Sequence, residues 1–67
     1  MHYIPVKIET EELITKVKCI DMEYNKEYNT LTLLGAIFNS SDYDSNLDVI
    51  IDGPNEITFR NVKKIIV

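Results

Sequence analysis

From Ile57 to Val67 the chain reads ITFRNVKKIIV, with apolar and polar residues alternating, one break in step and an apolar close. Period-two alternation sends successive side chains to opposite faces of a pleated strand, so this stretch reads as β structure with one buried face. Ile57 and Phe59 share that face, whereas Val62 and Ile65 are out of step with them. The phase change predicts a short helical turn near 61–64 and then a final strand. A strand ending in Ile65-Ile66-Val67 is an aggregation hazard when unpaired. It must therefore pair with the first strand, Tyr3 to Ile8, or with another chain.

Upstream, Asp52-Gly53-Pro54-Asn55 is a strong turn signal, because Gly tolerates positive φ and Pro fixes its own φ. It predicts a hairpin between residues 47–51 and 56–60. Residues 10–28 fit two readings. On a helix, Leu13, Ile14, Val17, Ile20, Tyr24 and Tyr28 share one face, with Thr10 as N-cap and Glu11 and Glu12 in the first turn. As a strand, Leu13, Val17 and Cys19 face one way and Ile20, Met22 and Tyr24 take the opposite parity, which requires a bulge near Cys19 and Ile20. The β-branched Ile14, Thr15, Val17 and Ile20 favour the strand, as does the compact Leu31, Leu33, Leu34 run that follows and would pair with it. The expected fold is a single all-β domain over residues 1–67, a small five- to six-stranded barrel with a long bent strand at 13–24. The alternative is α+β, with an amphipathic helix at 10–28 packed on an antiparallel sheet.

A chain of 67 residues has room for one domain and buries only about 60% of its unfolded surface, which leaves little space for a deep active-site cavity. Hydrophobic residues make up 45% and charged residues 27%, the composition of a globular domain rather than a disordered tail. The lone Cys19 cannot form an internal disulfide, and no Cys and His spacing suggests zinc, so packing or a partner chain must supply stability. The start, Met-His-Tyr-Ile-Pro-Val-Lys, lacks the pattern of a signal peptide, and no apolar run is of membrane-spanning length, so a cytoplasmic location is expected. Abundant Ile, Asn, Lys and Tyr suggest an A/T-rich coding sequence, compatible with a phage or mobile element.

A bent strand ending in Ile20-Asp21, a following Leu31-Thr32-Leu33, and a closing Ile57-Thr58-Phe59 with Asn61-Val62 and Ile65 together resemble the small SH3-like and Sm-like barrels, including YolD-like domains. Asp21-Met22-Glu23-Tyr24-Asn25 matches the Asp-x-x-x-Asn of the first Sm motif, whose asparagine belongs to an RNA-binding loop. Thr15 stands where that motif expects a glycine, and the Arg-Gly pair of the second motif is Arg60-Asn61. The resemblance implies an architecture and no activity, since shared shape does not fix function.

Asp42-Tyr43-Asp44-Ser45-Asn46-Leu47-Asp48 spaces oxygen-bearing side chains like the start of an EF-hand calcium loop. Leu47 replaces its glycine and Gly53 its closing bidentate glutamate, so the segment reads as a solvated acidic loop and no metal or cofactor is expected. His2 has no evident partner to orient it as a base, and Cys19 lies in an apolar segment where a buried, inert thiol is the common state. Only Gly35 and Gly53 are present, so there is no glycine-rich phosphate loop. The chain is not expected to be an enzyme.

Charge is the more informative signal. Between Asn39 and Glu56 every charged residue is acidic, and from Ile57 onward the charges are Arg60, Lys63 and Lys64. The net charge of −4 argues against general affinity for nucleic acid and suits a partner protein with a basic surface. The expectation is a non-catalytic protein-binding module, an inhibitor that occludes a basic site through Asp42, Tyr43, Asp44, Asp48 and Asp52. A nucleic-acid-associated barrel would instead use Lys16, Lys18, Arg60, Lys63 and Lys64 clustered on one face. A third reading is a homo-oligomer joined through its terminal strand.

Overall fold

The structure is a computed structural model that describes residues 2–67. Seven strands lie among these residues: β1 (Ile4–Thr10), β2 (Ile14–Cys19), β3 (Asp21–Asn25), β4 (Thr30–Leu34), β5 (Val49–Gly53), β6 (Glu56–Phe59) and β7 (Val62–Ile66). They form two antiparallel sheets, β2-β1-β7 and β3-β4-β6-β5, which do not close into a barrel. The only helical element described is one 3-10 turn, Ser40–Tyr43. Among the described residues no helix is long and apolar enough to cross a membrane.

The helical reading of residues 10–28 is overturned. Of the six residues on the supposed apolar helix face, Val17 enters the core but Ile14, Ile20, Tyr24 and Tyr28 are exposed. β2 and β3 are instead one long strand broken at Ile20, and the parity switch in the sequence marks that bend: Val17 and Cys19 point inward before it and Met22 packs on the core after it. β2 therefore pairs with β1 and β3 with β4, so one segment serves both sheets. The β5–β6 hairpin and the antiparallel pairing of the terminal strands β7 and β1 follow the turn and hazard arguments above.

The second phase break has a different cause from the one expected. There is no helical turn at 61–64. Asn61 turns the chain alone, with φ of 53°, a left-handed conformation that Asn adopts more readily than most residues. Lys63 is then an extra residue in β7, because Glu9 faces Lys64 while its neighbour Thr10 faces Val62. Such a bulge lets Val62 and Ile65, three apart in sequence, both pack on the core.

Alternate residues of β1, Val6 and Ile8, meet Val17 and Cys19 of β2, Leu31 and Leu33 of β4, and Ile57 and Phe59 of β6 in one core between the sheets. The bend at Ile20 depends on its neighbour Gly35. The Ile20 amide donates to the Leu34 carbonyl at 3.0 Å, and Gly35 then leaves the sheet with φ of 59°. A Cβ at Gly35 would stand 2.6 Å from Ile20 Cδ1 and 3.0 Å from its Cβ. Gly35→Ala therefore combines left-handed strain with a clash, and is expected to cost about 1–3 kcal/mol in a urea titration. A midpoint equal to wild type would show that the bend does not need glycine.

Candidate functional site

The acidic loop splits into an inward and an outward half. Asn39 caps the 3-10 turn by accepting from the Ser41 amide, and the turn rotates Tyr43 into the protein, where it is only 8% exposed. Its ring meets Phe59 and Phe38 edge-on, at centroid distances of 6.0 and 6.3 Å. Its hydroxyl shares a 2.8 Å hydrogen bond with Thr15 Oγ1. Tyr43 is thus a core residue, which corrects its assignment to a contact surface: an aromatic that can bury its ring and still satisfy its hydroxyl gains more inside than outside.

Asp48 is also inside, at 2% exposure. Three donors converge on its carboxylate: the Thr10 hydroxyl at 2.8 Å, the Glu12 amide at 3.1 Å and the Asn61 side-chain amide at 2.7 Å. The Asp48 amide donates to Asn46 Oδ1, and its carbonyl accepts from the Arg60 amide at 2.7 Å. One residue thereby ties the β1–β2 connection, the acidic loop and the β6–β7 corner together. The Asn61 bond most of all, then that of Thr10, holds the carboxyl below the ordinary carboxylate range, outweighing the upward push of desolvation; the Glu12 amide and the nearby Arg60 charge add to the effect. Asp48 is therefore a structural tie and leaves the proposed contact surface. The sequence offered one hint of this, since Asn46-x-Asp48 is the spacing of an Asx-turn.

Asp42, Asp44 and Asp52 remain on the surface. Among the described residues no three His, Cys, Asp or Glu side chains are placed to hold a metal ion. Cys19 is fully buried, and burial, with the charge of Asp21 behind it, pushes its thiol pKa up, away from the reactive thiolate.

Of the outward acidic residues, Asp52 lies in an edge strand, and Asp42 and Asp44 precede that strand in the chain. β5 is the last strand of its sheet, paired on one side with β6. Ile50 and Ile51 are 43% and 41% exposed, and Leu47 just before the strand is 75% exposed. Asp52 accepts from Thr58 Oγ1 at 2.6 Å, and Thr58 in turn shares a 2.9 Å bond with Thr32, so the tip of β5 is held to its own sheet. The other sheet treats its edges differently. β7 carries Lys63 and Lys64 and is tied at Val62 to Asn29, while β2 is bridged by Ile37 through the Lys18 carbonyl.

The basic candidates separate as well. Lys16, Lys18 and Lys64 share the outer face of β2-β1-β7, where cross-strand register places them with Lys7, a residue that had not stood out in the sequence. Alternation along β1 would have found it, because Val6 and Ile8 face inward. Arg60 lies at the Asp48 corner and Lys63 at the bulge beside Glu9 to Glu12, so neither joins that cluster. Comparison with protein-family models, with curated proteins and with solved structures gave no match.

Proposed function

We propose that this chain is a non-catalytic binding module whose contact surface is the edge strand β5, with exposed Leu47, Ile50 and Ile51 bordered by Asp42, Asp44 and Asp52. An extended segment of a partner adds to the sheet there, its backbone pairing with β5 and its basic side chains meeting the carboxylates. Occlusion of that segment is the mechanism, in keeping with an inhibitor. The architecture reads as an SH3-like outline, supported by one bent strand serving both sheets and by β7 returning to β1.

The carrying observation is the contrast between edges. Natural sheets blunt open edges with lysines, bulges or covering segments. β7 has two lysines and a bulge and β2 is bridged, whereas β5 presents Val49-Ile50-Ile51 with no lysine and no bridging segment, its one register shift lying beyond them between Ile51 and Gly53. The opposite edge of the same sheet, β3, is the polar Asp21–Asn25, so β5 is the apolar edge that a strand-adding partner requires.

An array of extended peptides alternating apolar with Lys or Arg tests this. Binding is expected to such peptides over acid-substituted versions, to weaken by tenfold or more when salt rises from about 50 to about 500 mM, and to fall similarly in Ile51→Lys. Ile51 is 41% exposed and the alkyl stem of a lysine can cover the same surface, so that variant should stay folded with a modestly lower thermal midpoint. Equal binding to acidic and basic peptides, or full binding by Ile51→Lys, would end this reading.

A further inference from the structure

We infer that the outer face of β2-β1-β7 receives the acidic loop of a second copy of this chain, so that copies associate head to tail with Leu47 of one seated among the lysines of the next. The inference rests on the acidic loop being a contact surface, as proposed above.

The face is built in three rows by the strand register: Lys18 beside Pro5; Lys16, Lys7 and Ile66; and Ile14, Glu9 and Lys64. Four lysines against one glutamate leave it three charges positive within a chain of net charge −4, so the rest of the chain, buried Asp48 included, is seven charges negative. A hollow of about 270 Å³ opens in this face, lined by Pro5, Val6, Lys7, Lys16, Ile66 and Val67. Its floor is apolar and its rim cationic. The ligand that fits is an apolar side chain accompanied by carboxylates.

The chain carries that ligand itself. Leu47 is one of its most exposed aliphatic residues, and exposed Asp42 and Asp44 precede it in the same loop. A second observation points to an anionic occupant. Lys7 and Lys16 stand directly opposite each other across the β1–β2 ladder, an arrangement in which like charges destabilise the sheet. A carboxylate set between them removes that cost, and an unoccupied face retains it. A nucleic-acid strand fits less well, because the hollow offers it neither arginine nor an aromatic platform. Because loop and hollow are different surfaces, the contact is heterologous and can propagate into a ring or an open chain. Its small area makes it weak and dependent on concentration.

Sedimentation velocity over a concentration series tests the assembly in three proteins: wild type, Leu47→Ser and Lys16→Glu. Wild type should grow in mass with concentration and revert to monomer when salt is raised. Leu47→Ser lacks the inserted side chain and Lys16→Glu lacks the cationic rim, so each alone should remain monomeric. An equimolar mixture should form dimers and nothing larger, since each variant keeps the surface the other has lost. Lys16→Glu should also melt a few degrees higher than wild type, because it turns a like-charged cross-strand pair into an opposite-charged one; unfolding therefore cannot explain its loss of assembly.

A wild-type protein that stays monomeric at all concentrations overturns the inference, as does a mixture that fails to dimerise. A gel shift of a single-stranded oligonucleotide by monomeric wild type, lost in Lys16→Glu, would assign the face to nucleic acid and overturn it equally. The peptide-array result separates this from the earlier reading. Basic-peptide binding retained by Lys16→Glu leaves β5 recognition intact even if assembly fails, and assembly by a chain that ignores basic peptides would sink only the strand-addition reading.

Discussion

Phe59→Ala is expected to produce a larger loss of stability than Asp48→Asn or Gly35→Ala, about 3–5 kcal/mol. Phe59 is fully buried, sits in β6 between Leu31 of β4 and Val49 of β5, and supports the ring of Tyr43 from below at 6.0 Å. Removing a buried phenylalanine costs about 3–5 kcal/mol, because the transfer free energy is lost and a cavity remains. A domain of this length has a total stability of roughly 3–10 kcal/mol at the usual 0.05–0.15 kcal/mol per residue. The mutation therefore removes between about a third and all of that stability. Far-ultraviolet circular dichroism and a proton–nitrogen correlation spectrum would report it directly. Phe59→Leu keeps most of the volume and should stay folded with a lower urea midpoint. A cooperative, near-wild-type transition in Phe59→Ala would mean that the core does not centre on β6.

Asp48→Asn should produce the second largest loss, together with a change in pH response that no core mutation would give. All three groups facing the carboxylate are donors, and an amide offers one acceptor oxygen and two further donors, so donors are left opposed inside the protein. The expected fall in thermal midpoint is on the order of 10 °C. The pH dependence follows from the direction of the Asp48 shift. Its folded-state pKa lies below the unfolded value near 3.8, so the native state favours the ionised form. The stabilisation is complete above the unfolded value and is lost as pH falls through the folded one. Wild type should therefore lose stability steeply as acid is added below about pH 4, and Asp48→Asn should show a shallower slope over the same window. Parallel acid titrations of the two proteins would show instead that other carboxylates carry the acid sensitivity.

Local side-chain direction explains how much of this was legible in advance. Within a strand, parity alone fixes which face a residue takes, so the inward run of Val6 and Ile8, the switch at Ile20 and the β5–β6 hairpin could be read from residue order. The switch between Phe59 and Val62 was equally visible, but two devices can produce it. A helical turn and a bulge both shift the phase, and only the pairing of Glu9 with Lys64 and of Thr10 with Val62 identifies the bulge at Lys63. The acidic loop has no parity to read. Tyr43 and Asp48 look like surface residues beside Asp42 and Asp44, yet a 3-10 turn and three donors from distant segments draw them inward.

Composition and alternation by themselves favoured an all-β chain, placed the β5–β6 hairpin and marked the phase switches at Ile20 and after Phe59, while leaving residues 10–28 open between strand and helix. Those features are local, since a pleated backbone and a turn residue need no information beyond their neighbours. Tertiary structure alone decided which strand became the apolar edge, which lysines share a face and which acidic side chain became a tie. Each of those depends on residues far apart in the chain, such as Lys7 with Lys16 or Thr10 with Asp48, meeting across the fold.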